Sequence, residues 1–213
     1  MKRLFGVLLL LVLPGGFGTP NLAAQMTSME PPGDDIGPEF VGFVGAVQPL
    51  NNLTDSPSTY GTTIPPDVLM GGEFTYWASR VVGIGVMGLY SPATLNAVGG
   101  PGRGIGRLGE MEYMAGTLNL TFRIRSSGSA GALEPYFSMG AGLRRLQFYG
   151  DEVPKISATD PAATAAIGMR VALTSSLWFR GELRDVASYY ISAATDESRL
   201  QNDIGITVGF GIR

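Results

Sequence analysis

The sequence predicts an all-β protein: about eight antiparallel strands in up-and-down order, closed into a barrel that crosses a membrane. Three observations carry this. The first is residues 177–185, whose alternate members split into an apolar set (Leu177, Phe179, Gly181, Leu183) and a set of Trp178, Arg180, Glu182 and Arg184. Side chains with a period of two stand on opposite faces of a strand. The second is composition. Of 213 residues, 45% are hydrophobic and only 15% charged, with 31 glycines. Yet beyond the amino-terminal region nothing approaches the roughly 18 consecutive apolar residues of a spanning helix. The third is the alternation of long and short connections, the pattern of outer-membrane barrels. A soluble sandwich would turn the charged face to water, whereas a membrane barrel turns the apolar face to lipid and pairs the charges inside.

The amino terminus predicts a targeting segment over residues 1–24. Lys2 and Arg3 form a short basic region, residues 4–13 an apolar core, and Leu22-Ala23-Ala24 a small-residue site before Gln25. Ten apolar residues are too short to span a bilayer, which favours cleavage over an anchor. Removal takes away two positive charges and no negative ones, making an already acidic chain more so. An acidic exported protein is a poor partner for nucleic acid. Residues 25–38, rich in Pro, Gly and Asp, predict a flexible leader, and residues 39–213 the barrel domain.

Along that domain the strands follow in order. Residues 39–47 form the first, with Val41, Phe43 and Val47 on one face that Gly45 interrupts. A long loop over 49–66 precedes the second strand, 68–78, which sets Met70, Phe74 and Tyr76 against Glu73, Thr75 and Trp77. Ser79-Arg80 make a tight connection to 82–90, where Val82, Ile84 and Val86 oppose Gly83, Gly85 and Met87. Residues 91–109, loaded with Gly and Pro, predict another long loop. The fourth strand has the cleanest alternation: Met114, Gly116, Leu118, Leu120, Phe122 and Ile124 against Tyr113, Ala115, Thr117, Asn119, Thr121 and Arg123. After a Ser/Gly turn, 133–148 sets Phe137, Met139, Ala141 and Leu143 against Glu134, Tyr136, Ser138 and Arg144. A polar loop over 149–161 leads to 164–173, with Ile167, Met169 and Val171 opposite Arg170. Thr174-Ser175-Ser176 turns into the strand from 177 to about 190. A last loop over 192–199 precedes 203–213, with Ile204, Ile206, Val208, Phe210 and Ile212 opposite Asp203, Gly205 and Thr207.

Most of these strands reach the roughly 9–11 residues that a tilted membrane strand needs. The polar faces are rich in Gly, Ala, Ser and Thr with single charges among them, as expected where small residues make room for large ones inside a narrow barrel. The inward register collects Glu73, Arg123, Glu134, Arg144, Arg170, Arg180, Glu182 and Arg184 from five strands. Five arginines facing three glutamates predict hydrogen-bonded pairs that bridge strands and plug the lumen, with the surplus arginines bonded to Tyr, Asn, backbone oxygen or water. A selective filter is the functional alternative for the same residues.

Other motifs are put aside. Residues 83–88 and 104–109 both fit the dinucleotide fingerprint, but the first lies in a predicted strand and the second in a predicted loop, not in a βαβ unit. Asp151, Glu152, Asp160, Asp196 and Glu197 match no calcium-loop spacing and read as solvated loop charge, so no metal or cofactor is expected. Tyr60, Tyr76, Trp77, Tyr90, Tyr113, Tyr149, Tyr189 and Tyr190 fall mostly at strand ends, as an interfacial girdle would. Cysteine and histidine are absent, which removes thiol chemistry and the usual base. The remaining candidates for a base are carboxylates beside arginines, which are weakened as bases by that pairing.

Three features carry a family resemblance: Glu134-Pro135-Tyr136 leading to Gly140-Ala141-Gly142, residues 180–185, and the closing Gly205, Gly209 and Gly211. With them the chain resembles the small outer-membrane β-barrel proteins of the OmpA transmembrane-domain and OmpX type over residues 39–213. The resemblance implies a bacterial outer-membrane location and insertion by the barrel assembly machinery through a carboxy-terminal strand. It also implies outer-membrane lipid and lipopolysaccharide as surroundings. The expected function is then non-catalytic: structural, or adhesion and recognition through the loops, whose surface ligand is unknown. The alternatives are a small pore, a binder of hydrophobic ligands, and a secreted soluble barrel of lipocalin type.

Overall fold

The computed structural model describes residues 36–50, 60–63, 67–99, 105–124, 133–149, 156–191 and 198–213. The targeting segment, the leader up to residue 35 and several loop tips lie outside the described residues. The strands are β1 (Gly37–Pro49), β2 (Tyr60–Thr63), β3 (Asp67–Trp77), β4 (Val82–Gly99), β5 (Ile105–Arg123), β6 (Leu133–Tyr149), β7 (Ile156–Ala172), β8 (Leu177–Ile191) and β9 (Ser198–Ile212). Eight of them form a closed antiparallel ring in the order β1-β3-β4-β5-β6-β7-β8-β9, sealed where β9 pairs back onto β1. The ninth, β2, only extends the sheet beside the far end of β4. Closure leaves the ring no free edge, the condition for a sheet in lipid.

Two short connections share one device. Ala78 and Ser79 both donate to the Val82 carbonyl, while Ser79 Oγ accepts from the amides of Val81 and Val82. Leu173 and Thr174 likewise donate to Leu177, and Thr174 Oγ1 accepts from the amides of Ser176 and Leu177. A hydroxyl that caps its own turn makes the tight reversal local in origin.

The outer wall is apolar along its middle, with Phe40, Val44, Phe74, Ile84, Val86, Leu118, Met139, Ile167, Leu183, Val208 and Phe210 exposed. Near the short turns it carries aromatic pairs: Phe122 stacks on Phe137 at 5.0 Å, and Phe179 meets Phe210 edge-on at 5.6 Å. The core is the lumen.

Two expectations are corrected. Residues 91–109 are mostly strand, since β4 runs to Gly99 and β5 starts at Ile105. Pro92 is tolerated there because the β3–β4 pairing ends at Tyr90, so the amide that proline lacks has no partner to lose. Likewise β7 begins at Ile156 and carries Pro161 one residue before its pairing with β8 starts at Ala162. On β1 the face of Val41, Phe43 and Val47 points into the lumen, and Phe40, Val44 and Ala46 point outward.

Candidate functional site

Among the described residues, the lumen is the one place where charged side chains gather away from water. All eight residues of the inward register lie on its wall, and the structure adds Glu39, Asp160, Asp203 and Arg213. They form three layers.

The layer nearest the short turns is built around Glu39 on β1. Its carboxylate accepts from Trp77 Nε1 at 3.1 Å, Arg123 Nη2 at 3.1 Å and Arg170 Nη1 at 2.9 Å, with Arg213 Nε at 3.8 Å. Arg170 also reaches Glu134 at 3.1 Å. The guanidinium of Arg123 lies 3.2 Å over the Trp77 ring, and that of Arg170 lies 3.8 Å over Trp178. Stacking on indole suits the flat, weakly hydrated guanidinium. Gly83 on β4 is required beside them, because a Cβ there would sit 2.9 Å from the Trp77 ring.

The middle layer joins β3, β6 and β8. Arg180 bonds Glu73 at 2.7 Å and also holds Glu182 and the Tyr136 hydroxyl. Tyr136 in turn donates to Glu182 at 2.7 Å, and Arg184 Nε reaches Glu182 at 2.7 Å. Gly168 leaves the space that Tyr136 fills, since its missing Cβ would lie 2.3 Å from the hydroxyl. The upper layer has Arg144 between Asp203 at 3.1 Å and Asp160 at 3.2 Å, with Gln201 donating to Asp203. Hydroxyl pairs such as Thr121 with Ser138 fill the space between.

The excess of arginine over carboxylate therefore disappears. Six arginines meet six carboxylates among the described residues, so the surplus guanidinium groups find acids, not only Tyr or water. Asp160 is buried in this network rather than solvated in a loop, because β7 starts earlier than its composition suggests. Asp151, Glu152, Asp196 and Glu197 lie outside the described residues. Trp77 and Tyr113 leave the girdle as well: both are buried in the lumen. Tyr76 and Tyr189 are exposed on the outer wall, Tyr90 and Tyr149 are half-buried, and the side chains of Tyr60 and Tyr190 lie outside the described residues. Tyr90 and Tyr149 bond Glu112 there, at 3.5 Å and 2.9 Å.

Sequence patterning carried a usable signal for two of the missed residues. Asp203 and Trp178 already stood on the inward register. Glu39 did not stand out, because its strand is apolar on both faces.

The other side of the lumen is greasy. Val41, Phe43, Val47, Leu69, Met87 and Leu89 project inward from β1, β3 and β4, and Ala93, Met111, Ala115 and Leu146 pack against them. Most of the charged groups thus project from β5–β9, joined by Glu39 of β1 and Glu73 of β3, and most of the apolar ones from β1–β5.

No protein-family model matches the chain, and no curated protein matches its sequence at a significant level. Solved structures do. The outer membrane protein OprG from Pseudomonas aeruginosa aligns with a TM-score of 0.57 at 15% identity, covering 86% of this chain and 98% of that one. Neisserial surface protein A aligns with a TM-score of 0.55 at 8% identity, covering 81% and 96%. At such identities the likeness is one of fold, and the fold is that of small bacterial outer-membrane barrels.

Proposed function

We propose that the chain is a non-catalytic integral barrel of the bacterial outer membrane, with a plugged lumen and a structural or adhesive role exercised through its loops. The observation that carries this is the layer around Glu39, whose side chains come from β1, β3, β5, β6, β7 and β8 and cross the lumen at the level of the short turns. Charged groups tied together in this way leave no file of free carboxylates or amines for a permeating ion to follow. The outer-membrane fold and the apolar wall support the location. On this reading lipid and lipopolysaccharide surround the wall, and the barrel assembly machinery acts during insertion. The purified barrel in a planar bilayer should show no steady conductance, and sustained ion current would overturn the plug. Replacing each long loop in turn should then change surface adhesion without changing barrel stability.

A second reading rests on the apolar half of the lumen. Val41, Phe43, Leu69, Met87 and Leu89 form a continuous buried apolar cluster inside the barrel, the lining chemistry a hydrophobic ligand would need. Lipid or fatty acid retained through purification, and lost in a Leu89→Asp variant, would favour this reading over the first.

A further inference from the structure

The partners of Glu39 come from opposite sides of the ring. Counting round the wall from β1, Arg123 on β5 is three staves away in one direction, through β3 and β4. Arg170 on β7 is three staves away in the other direction, through β9 and β8. In the same sheet unrolled, with β1 and β9 as free edges, β7 would stand five staves from β1. At roughly 4.8 Å per stave that is roughly 24 Å, far beyond the reach of a salt bridge. Only the rolled tube brings both guanidinium groups to one carboxylate.

The seam itself ends at this point. The β1–β9 register runs to Phe40 opposite Ile212, so its next step sets Glu39 beside Arg213. Glu134 in the same layer is the opposite case. It faces Arg170 directly across the β6–β7 pair, so that ion pair needs no closure.

We propose that the Glu39 cluster is a latch for the β1–β9 seam, because its charge pairs with Arg170 and Arg213 form only when the ring is shut. The stabilisation from these pairs is then absent from any state in which β9 has parted from β1, while the hairpins stay intact. Local opening of a sheet is read by amide hydrogen exchange. The barrel in lipid vesicles should be compared as wild type, Glu39→Gln and Glu134→Gln. In Glu39→Gln the amides that bond across the β1–β9 seam should exchange about tenfold faster or more, the loss of at least one charge-assisted hydrogen bond from the closed state. Amides bonding β3 to β4 should keep their wild-type rates, and Glu134→Gln should leave the seam at its wild-type rate. If Glu39→Gln does not insert, Glu39→Asp, which keeps the charge but withdraws it by one methylene, should show the same seam-specific acceleration. Unchanged seam exchange, or equal acceleration in every strand, would overturn the latch.

Discussion

Glu182 is the residue on which three lumenal donors converge, from Tyr136, Arg180 and Arg184. Glu182→Gln keeps the shape and removes the charge, leaving two guanidinium groups with less counter-charge in a buried place. Breaking a buried pair by removing one partner costs about 3–5 kcal/mol. Denaturant titration in vesicles should therefore show a loss of about 3 kcal/mol, with loop-borne adhesion unchanged. Crowding tests the same layer system from another side. Gly83→Val would drive a side chain into Trp77 and Thr75, and overpacking of this kind costs about 1–3 kcal/mol in the same titration. At this scale the sequence was readable where polar and apolar positions contrast, as along residues 178–184. It was unreadable at Glu39, whose strand has Val41 and Phe43 on one face and Phe40 and Val44 on the other. Trp77 and Tyr113 misled for a chemical reason. Indole and phenol suit both a membrane interface and the company of arginine, and pattern alone does not separate the two.

Among the elements, β5 gives the sharpest test of facing. Leu118 and Leu120 point outward and Thr121 inward. A charge on the lipid face near the bilayer centre costs about 2–4 kcal/mol, so Leu120→Arg should lower barrel stability by that amount in vesicle unfolding. Thr121→Arg should act differently, by overfilling a lumen in which Thr121 bonds Ser138. A harmless Leu120→Arg would mean that the facing is inverted or that this wall does not meet lipid. The positions of the strands were legible because each carries a period-two pattern, but the upper ends of β4, β5 and β7 were not. Gly and Pro there look like loop, and nothing local reveals that Pro92 and Pro161 stand where no ladder bond is required of them.

For the molecule as a whole, the staves differ in length. β4, β5, β6 and β7 have 18, 19, 17 and 17 residues, against 13 in β1 and 11 in β3. At about 3.4 Å per residue the longest runs roughly 60 Å along its axis, well beyond a hydrocarbon layer of about 30 Å even when tilted. The outward positions on these upper ends are polar, among them Glu110, Glu112, Arg145 and Thr159. A cysteine placed at Thr159, in a chain with none of its own, should react with a membrane-impermeant maleimide in intact vesicles, whereas one at Leu118 should stay protected. Equal labelling would mean that the long staves lie within the bilayer. Among the described residues, this parapet gives the strands a front and a back: an upright pleated screen stands over β4–β7, and the staves of β1 and β3 stop lower.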